Sequence, residues 1–338
     1  MPYDALVERL TAGLDPVSVS AFPDGSVDDY YRLRDGEASV ASREAFASAI
    51  RAGRDSFVLD HVATDAGGQS VNAARQAAAL GDDVTLAGHL DHAIFDSEFD
   101  FETVSMGTPA RVRVHCFDAD DVMFVEESAD LESWSFADLQ GALGDRLEPF
   151  LTADALCCTN WASVPGLESA LRDVAARAPD GGVFCVDPGP ITASQASDLL
   201  DALARLEPSY DVALSVNEAE ARHLAEGVGH DGDPSDAGAL DAIRQAASAA
   251  GVVVHGVDVA TAVTPSGQVS VPTLDTPRAL TETGAGDRFT AGFARSLAAG
   301  WDWDVAAAMG NACAGHYVAG DGTGTPTSLR EHVLATRP

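Results

Sequence analysis

The chain has 338 residues, 46% of them hydrophobic, and sets 53 acidic side chains against 20 basic ones for a net charge of −33. Acid spread this evenly suits a folded protein with a heavily solvated surface adapted to high salt, and it excludes nucleic acid and anionic membrane as partners. Every basic residue is Arg and no Lys occurs, which excludes a Walker-type phosphate loop and Schiff-base chemistry.

Leu6, Val7, Leu10 and Leu14 share one face of a helix predicted over Tyr3–Leu14. Pro16–Phe22 alternates as a strand, Pro23-Asp24-Gly25-Ser26 turns the chain, and Asp28-Asp29 follow. Tyr30–Arg34 reads as a short strand with Arg32 and Arg34 on one face. A helix over Ser42–Ala52 and a strand over Phe57–Ala63 lead to Ala66-Gly67-Gly68-Gln69-Ser70-Val71-Asn72, which opens an alanine-rich helix ending at Leu80-Gly81. Two glycines and an Asn at a helix start let backbone and side chain approach a ligand closely, although an ordinary strand–turn–helix crossover reads the same way. Val84–Gly88 is the next strand. In Val104–Phe117, period-2 alternation puts Arg111, Arg113 and His115 on one face, with Val122–Glu126 as hairpin partner.

From Leu151 strands and helices alternate, the mark of a parallel sheet covered on both faces. The strands are Ala155–Thr159, Val183–Val186, Val212–Ser215 and Gly251–His255; the helices are Val164–Arg177, Ser194–Leu206, Glu218–Glu226 and Ala237–Ala250. Gly229–Asp236 is a polar loop, not a domain linker. Asn217-Glu218-Ala219-Glu220 reads locally as an Asn helix cap with acids in the first turn. Val259–Val263 and Gln268–Val271 form a hairpin; helices over Asp304–Ala319 and Leu329–Leu334 close the chain. Cys116, Cys157, Cys158, Cys185 and Cys313 are odd in number and lack metal-ligand spacing, and no apolar run reaches the ~18 residues of a membrane span. A reduced, cytoplasmic protein is expected.

The most telling stretch is Thr283-Gly284-Ala285-Gly286-Asp287-Arg288-Phe289-Thr290-Ala291-Gly292, a small-residue turn feeding a helix. Helix-start N–H groups and the positive dipole end let Gly284, Ala285 and Gly286 cradle phosphate oxygens. Asp287 either caps that helix or takes a proton from a hydroxyl attacking the phosphate.

These two glycine stretches, in this order, resemble the N- and C-terminal signatures of the ribokinase-like (PfkB) carbohydrate kinase family, and the acidic composition marks a haloarchaeal-type member. The resemblance implies a three-layer α/β/α sandwich with a mostly parallel central sheet, one domain over residues 1–338, and a small β lid with strands near 28–36 and 104–126. It implies ATP and Mg²⁺ as co-substrate and metal, Asp287 as general base, and Gly284, Ala285 and Gly286 as the anion-binding turn. Gly67, Gly68, Asn72 and Asp28 are expected to hold the sugar, with Asp24 or Asp29 as alternatives to Asp28. Asn217, Glu220, Gly256 and Asn311 are expected around the nucleotide, Glu220 holding the metal through water. Gly320–Thr325 is expected to close the nucleotide pocket or to be plain loop.

The chain also departs from the family pattern. His89-Leu90-Asp91 stands where a Gly-Asp-Asp segment is usual, His255 where Thr precedes Gly256, and Thr281-Glu282-Thr283 where an Asp helps bind a monovalent cation, so no cation site is carried over. Arg288 replaces a small residue and either pairs with Glu282 at the surface, the expected case, or reaches the transferring phosphoryl group. Four of the 20 basic residues, Arg32, Arg34, Arg111 and Arg113, fall in the two lid stretches. Because Arg forks onto phosphate oxygens, this density points to an acceptor that already carries a phosphate, such as ribose 1-phosphate, with Arg111 and Arg113 in the site. The alternatives are a nucleoside kinase of the same family and a non-catalytic sugar- or nucleotide-binding relative. The resemblance also implies a homodimer formed through the lid.

Overall fold

A computed structural model of the chain describes residues 1–96, 99–118, 121–230, 236–276 and 283–337. Nine strands form the central sheet, in the order Gly267–Pro272, Val259–Thr264, Gly251–His255, Asp211–Val216, Val183–Asp187, Ala155–Thr159, Ser18–Phe22, Asp83–Gly88, Glu102–Ser105. From Gly251–His255 to Glu102–Ser105 every neighbouring pair is parallel; the Val259–Thr264 and Gly267–Pro272 hairpin adds two antiparallel strands at one edge. The inner strands are near-continuous apolar runs because helices cover both faces.

Alternation along each strand divides the core in two. Phe22, Leu156, Cys158, Phe184 and Val186 pack on one side against Phe136–Leu143, Leu167–Arg177, Ala193–Ala204, Glu218–Gly227 and Ala237–Ala246. Ala21, Cys157, Cys185, Ala213 and Val253 pack on the other against Pro2–Ala12, Gln69–Ala79, Ala285–Ala298, Trp303–His316 and Pro326–Thr336. The result is the expected α/β/α sandwich. Small residues on this second face let the Ala285–Ala298 helix sit close to the sheet, and its Arg295 forms a fully buried ion pair with Asp82 at 2.9 Å.

A second sheet stands beside the carboxyl ends of the central strands. Ser26–Asp35 is its middle, paired antiparallel with Val58–Gly67 and parallel with Ala110–Cys116, which in turn pairs with Asp121–Glu126; Ala38–Ser39 folds back on the end of Ser26–Asp35. Several expected boundaries shift. The short strand at Tyr30–Arg34 is the end of the longer Ser26–Asp35, and the strand expected over Val104–Phe117 is two, one in each sheet. The short helices Ala129–Glu132, Phe136–Leu143 and Leu147–Leu151 occupy a stretch with no predicted element, and the helix expected to Ala250 ends at Ala246. All five cysteines are free, and no helix among the described residues is long and apolar enough to cross a membrane.

Candidate active site

Two cavities meet at the N-terminus of the Ala285–Ala298 helix. The first, about 400 Å³, lies under the second sheet and is lined by Asp28, Gly68, Asn72, Asn217, Glu220, Gly284 and Asp287, among others. The second, about 450 Å³, is lined by Gly256, Leu274, Ala285, Phe289 and Asn311. His255 and Gly286 belong to both.

Gly284 is the helix N-cap and takes the left-handed conformation (φ 85, ψ 2), which favours glycine. The helix therefore starts with its free N–H groups at the junction of the cavities. Asp287, in the first turn, is only 8% exposed. Asn72 donates from Nδ2 to its Oδ2 at 2.8 Å, and Gln69 Nε2 lies 3.3 Å from its Oδ1 and 3.2 Å from Asp187 Oδ1. Burial pushes the Asp287 carboxyl above its ordinary range, against the pull of the Asn72 hydrogen bond and the nearby Arg288 charge. Asp187 and Glu220 are raised too, first by burial and then by neighbouring carboxylates: Asp287 raises Asp187, and Asp187 raises Glu220. Three carboxyl groups thus crowd one cleft, each better suited to a bound cation or a shared proton than to bare ionisation.

On the other wall, Asp28 accepts from Ser26 Oγ at 2.6 Å, and burial pushes its carboxyl up to about 6. A Cβ on Gly67 would lie 2.1 Å from Asp28 Oδ2, so the carboxylate needs that glycine beneath it. Of the alternatives to Asp28, Asp24 also lines the first cavity and Asp29 does not. Asp24 accepts the backbone N–H groups of Gln69 and Ser70 at 2.9 and 2.8 Å and fixes the start of the Gln69–Ala79 helix. Asp29 lies on the strand's opposite face and accepts from Thr64 Oγ1 at 2.6 Å.

The lid arginines are not brought into the cleft. Cross-strand pairing puts Val112 opposite Val125 and Arg113 opposite Phe124. Ala110, Val112, Met123 and Val125 line the cavity, so the strand's alternation turns Arg111 and Arg113 to the other face, where both are exposed. Arg34 is spent on Asp60 and Arg32 is exposed. Arg288 also departs from the expected surface pairing: it is buried, 4% exposed, and donates from Nη1 to the Gly284 carbonyl at 2.8 Å. Glu282 and Thr281 lie outside the described residues.

Asn217 and Glu220 form a reciprocal cap at the start of the Glu218–Gly227 helix. Asn217 Oδ1 accepts from Ala219 N and Glu220 N at 2.9 and 3.0 Å, and Glu220 accepts from Asn217 N and Nδ2 at 2.9 and 2.7 Å. Capping and lining the cleft coexist here. No cluster of three metal-ligating side chains occurs among the described residues. The crowded, proton-retaining carboxylates of Asp187, Glu220 and Asp287 fit a cation that keeps its waters, as Mg²⁺ often does. Gly256 and Asn311 both line the second cavity. Asn311 Nδ2 reaches Tyr3 Oη at 3.2 Å and the Val271 carbonyl at 3.3 Å, while Tyr3 Oη donates to the Pro272 carbonyl at 2.5 Å. The leading helix therefore braces this cavity's wall. Gly324, in the expected closing segment, accepts from Gln76 Nε2 at 2.9 Å.

Reasoning from sequence missed Asp187, Gln69 and Glu127. Asp187 ends a parallel strand and precedes Pro188-Gly189-Pro190, and a carboxylate at the carboxyl end of a sheet strand is a usable signal. Gln69 lies inside the glycine signature and could have been weighed with it. Glu127 lines the first cavity and has a buried Oε2 without a partner among the described residues; its neighbours in sequence give no such hint.

Residues 26–335 match the prokaryotic ketohexokinase family. No curated protein matches the chain. Among solved structures, the fold is similar to that of ribokinase from Thermotoga maritima (20% identity, 95% of this chain and 99% of that one, TM-score 0.63). It is also similar to a probable sugar kinase from Rhizobium etli (19%, 95% and 98%, TM-score 0.66). A Burkholderia thailandensis nucleoside kinase, solved in complex with inosine, is comparable (16%, 95% and 99%, TM-score 0.64).

Proposed function

The chain belongs to the prokaryotic ketohexokinase family and is a carbohydrate kinase; from that premise we propose that it transfers the γ-phosphoryl group of ATP to a hydroxyl of a ketohexose such as fructose. The observation that carries this reading is the placement of Asp287 beside Gly286, where the two cavities meet. The acceptor occupies the first cavity, held by Asp28, Gly67, Gly68 and Asn72; the nucleotide occupies the second, with Gly256 and Asn311 at its base. Asp287 takes the proton of the acceptor hydroxyl, whose oxygen attacks the γ-phosphorus in line as the bond to the bridging oxygen of ADP breaks. Backbone N–H groups of Gly284, Ala285 and Gly286 face the charge that develops. Asn217 and Glu220 would hold the water shell of Mg²⁺, which supplies charge neutralisation on the phosphates. The second sheet acts as a lid that keeps water from the phosphoryl group, and residues 1–338 work as one domain.

A phosphorylated acceptor such as ribose 1-phosphate has no cationic side chain among the described residues lining the first cavity, which favours the neutral sugar. A nucleoside acceptor is the second reading, supported by the apolar wall of Val112, Met123 and Val125, against which a base could pack. The lid also exposes Val58, Leu59, Val62 and Phe124, and pairing of two copies through it belongs to the same proposal; the mass in sedimentation would contradict it if monomeric throughout.

An ATP-coupled screen over ketoses, aldoses, sugar phosphates and nucleosides tests the assignment. Turnover should be highest with a ketohexose, and Asp287→Asn should lower kcat by ~10²–10⁴ while the protein stays folded. Absence of turnover with every class, or an Asp287→Asn variant at the parent rate, would refute it.

A further inference from the structure

We propose that Arg288 is a positioning residue: its guanidinium fixes the direction of the Ala285 N–H in the anion-binding turn and stands as a permanent cation behind the phosphoryl-transfer site. The proposal rests on the reading of Asp287 and its turn given above.

Arg288 is an unfavourable choice for its place. It lies in the first turn of the Ala285–Ala298 helix, where the positive dipole end disfavours a cation. It is 4% exposed, and among the described residues it forms no ion pair with a carboxylate and its buried Nε–H has no partner. A buried charge left so poorly compensated is costly. The fold nevertheless holds it from two sides: the Gly284 carbonyl accepts from Nη1 at 2.8 Å, and the Tyr317 ring lies 3.6 Å from Cζ. Contact of this kind with an aromatic face stabilises a guanidinium, the more so when water is excluded.

The consequence for the site follows from peptide geometry. The carbonyl of Gly284 and the N–H of Ala285 belong to one planar trans unit and point in opposite directions. Holding the oxygen toward Arg288 therefore aims the Ala285 N–H away from it, and Ala285 lines the nucleotide cavity. The hold is tight: a Cβ on Gly284 would meet Arg288 Nη1 at 2.8 Å and Asn72 Nδ2 at 3.1 Å. Asn72 is the same side chain that donates to Asp287. Guanidinium and amide thus close on one glycine from the two residues that flank the chemistry.

The charged and titratable groups around this centre are mostly acidic. Asp24, Asp187, Glu220 and Asp28 surround Asp287, with the neutral His255 beyond Gly286. Tyr317, Asp65 and Arg75 surround Arg288, and Arg75 is itself engaged with Asp65 at 3.2 Å. Among these described groups, Arg288 is a cation that favours the ionised form of Asp287.

Arg288→Met keeps the bulk and removes charge and hydrogen bond. Its kcat should fall by ~10²-fold, with the acceptor KM within about threefold of the parent. The acid limb of the kcat–pH profile should move to higher pH, because a carboxylate that loses a neighbouring cation ionises less readily. A purely structural role would lower the melting temperature and leave that limb in place. An unmoved limb with kcat within about threefold of the parent would overturn the proposal. If the Met variant does not fold, Arg288→Lys decides: a lysine on its flexible stem should keep the limb in place and lower kcat, and a limb shifted upward or an unchanged kcat counts against the proposal. Asp287→Asn, assayed alongside, separates the failures, since parent-like turnover there overturns the base assignment whatever Arg288 does.

Discussion

At the scale of single residues, the cleft shows a conflict between stability and chemistry. Asp187 is buried, and its carboxyl retains a proton to higher pH in the folded chain than its ordinary value of 3.8. Between those two values the folded state binds more protons than the unfolded state, so stability is full at low pH and is lost as pH rises through the raised folded value. Asp187→Asn removes that penalty while its neighbours Gly189 N, Gln69 Nε2 and Thr290 Oγ1, each at 3.2 Å, remain within reach of an amide. The variant should be more stable than the parent at pH 8 by about 1–3 kcal/mol, with the gain vanishing near pH 4. Its kcat should fall by about 10–100-fold, because the group stands beside the proposed metal waters. Calorimetry across pH would count against this account if the gain were the same at pH 4 and pH 8. What was legible in the sequence at this scale was residue type in a local frame. Asp287 and Asn72 each follow a glycine at positive φ, Gly284 and Gly68, and such frames can be read locally; the glycine beneath Asp28 is Gly67 on the paired strand, which no local frame carries. The arginines could not be placed that way: density along the chain counts residues on both faces of a strand, and only the pairing of Val112 with Val125 shows which face looks into the cleft.

Among the elements, the Pro2–Ala12 helix was visible as an amphipathic segment without a purpose. Its purpose lies in contacts with residues over 250 positions away (Tyr3 to Pro272 is 269), which no local pattern carries. Tyr3, Leu6 and Leu10 are buried, and Tyr3 ties Asn311 to the end of the edge hairpin. Tyr3→Phe deletes one hydroxyl that both donates and accepts. A net hydrogen bond is worth about 1 kcal/mol, so the KM for ATP should rise about fivefold while the acceptor KM stays unchanged. Equal rises in both constants would show instead that the helix serves the fold as a whole. The three short helices between residues 129 and 151 were missed for a related reason: each is eight residues or fewer, too short for a 3.6-residue period to stand out.

For the molecule as a whole, the decisive quantity is the net charge of −33. Surface carboxylates in such excess repel one another, which favours the expanded chain at low ionic strength. Raising KCl from 0.1 to 1 M shortens the screening length from about 10 to about 3 Å, and the melting temperature should climb most steeply over that range. The same field acts on substrates according to their charge. ATP, a polyanion, is repelled from the cleft's surroundings at low salt, so its KM should fall as KCl rises. A neutral ketohexose feels no such field, and its KM should stay level. A sugar phosphate would behave like ATP. The salt dependence of the two Michaelis constants therefore reads out the acceptor's charge without any structure of a complex. Parallel falls in both constants would restore the phosphorylated acceptor that the lid arginines first suggested, and a fall in the ATP constant alone would assign the cleft to a neutral sugar.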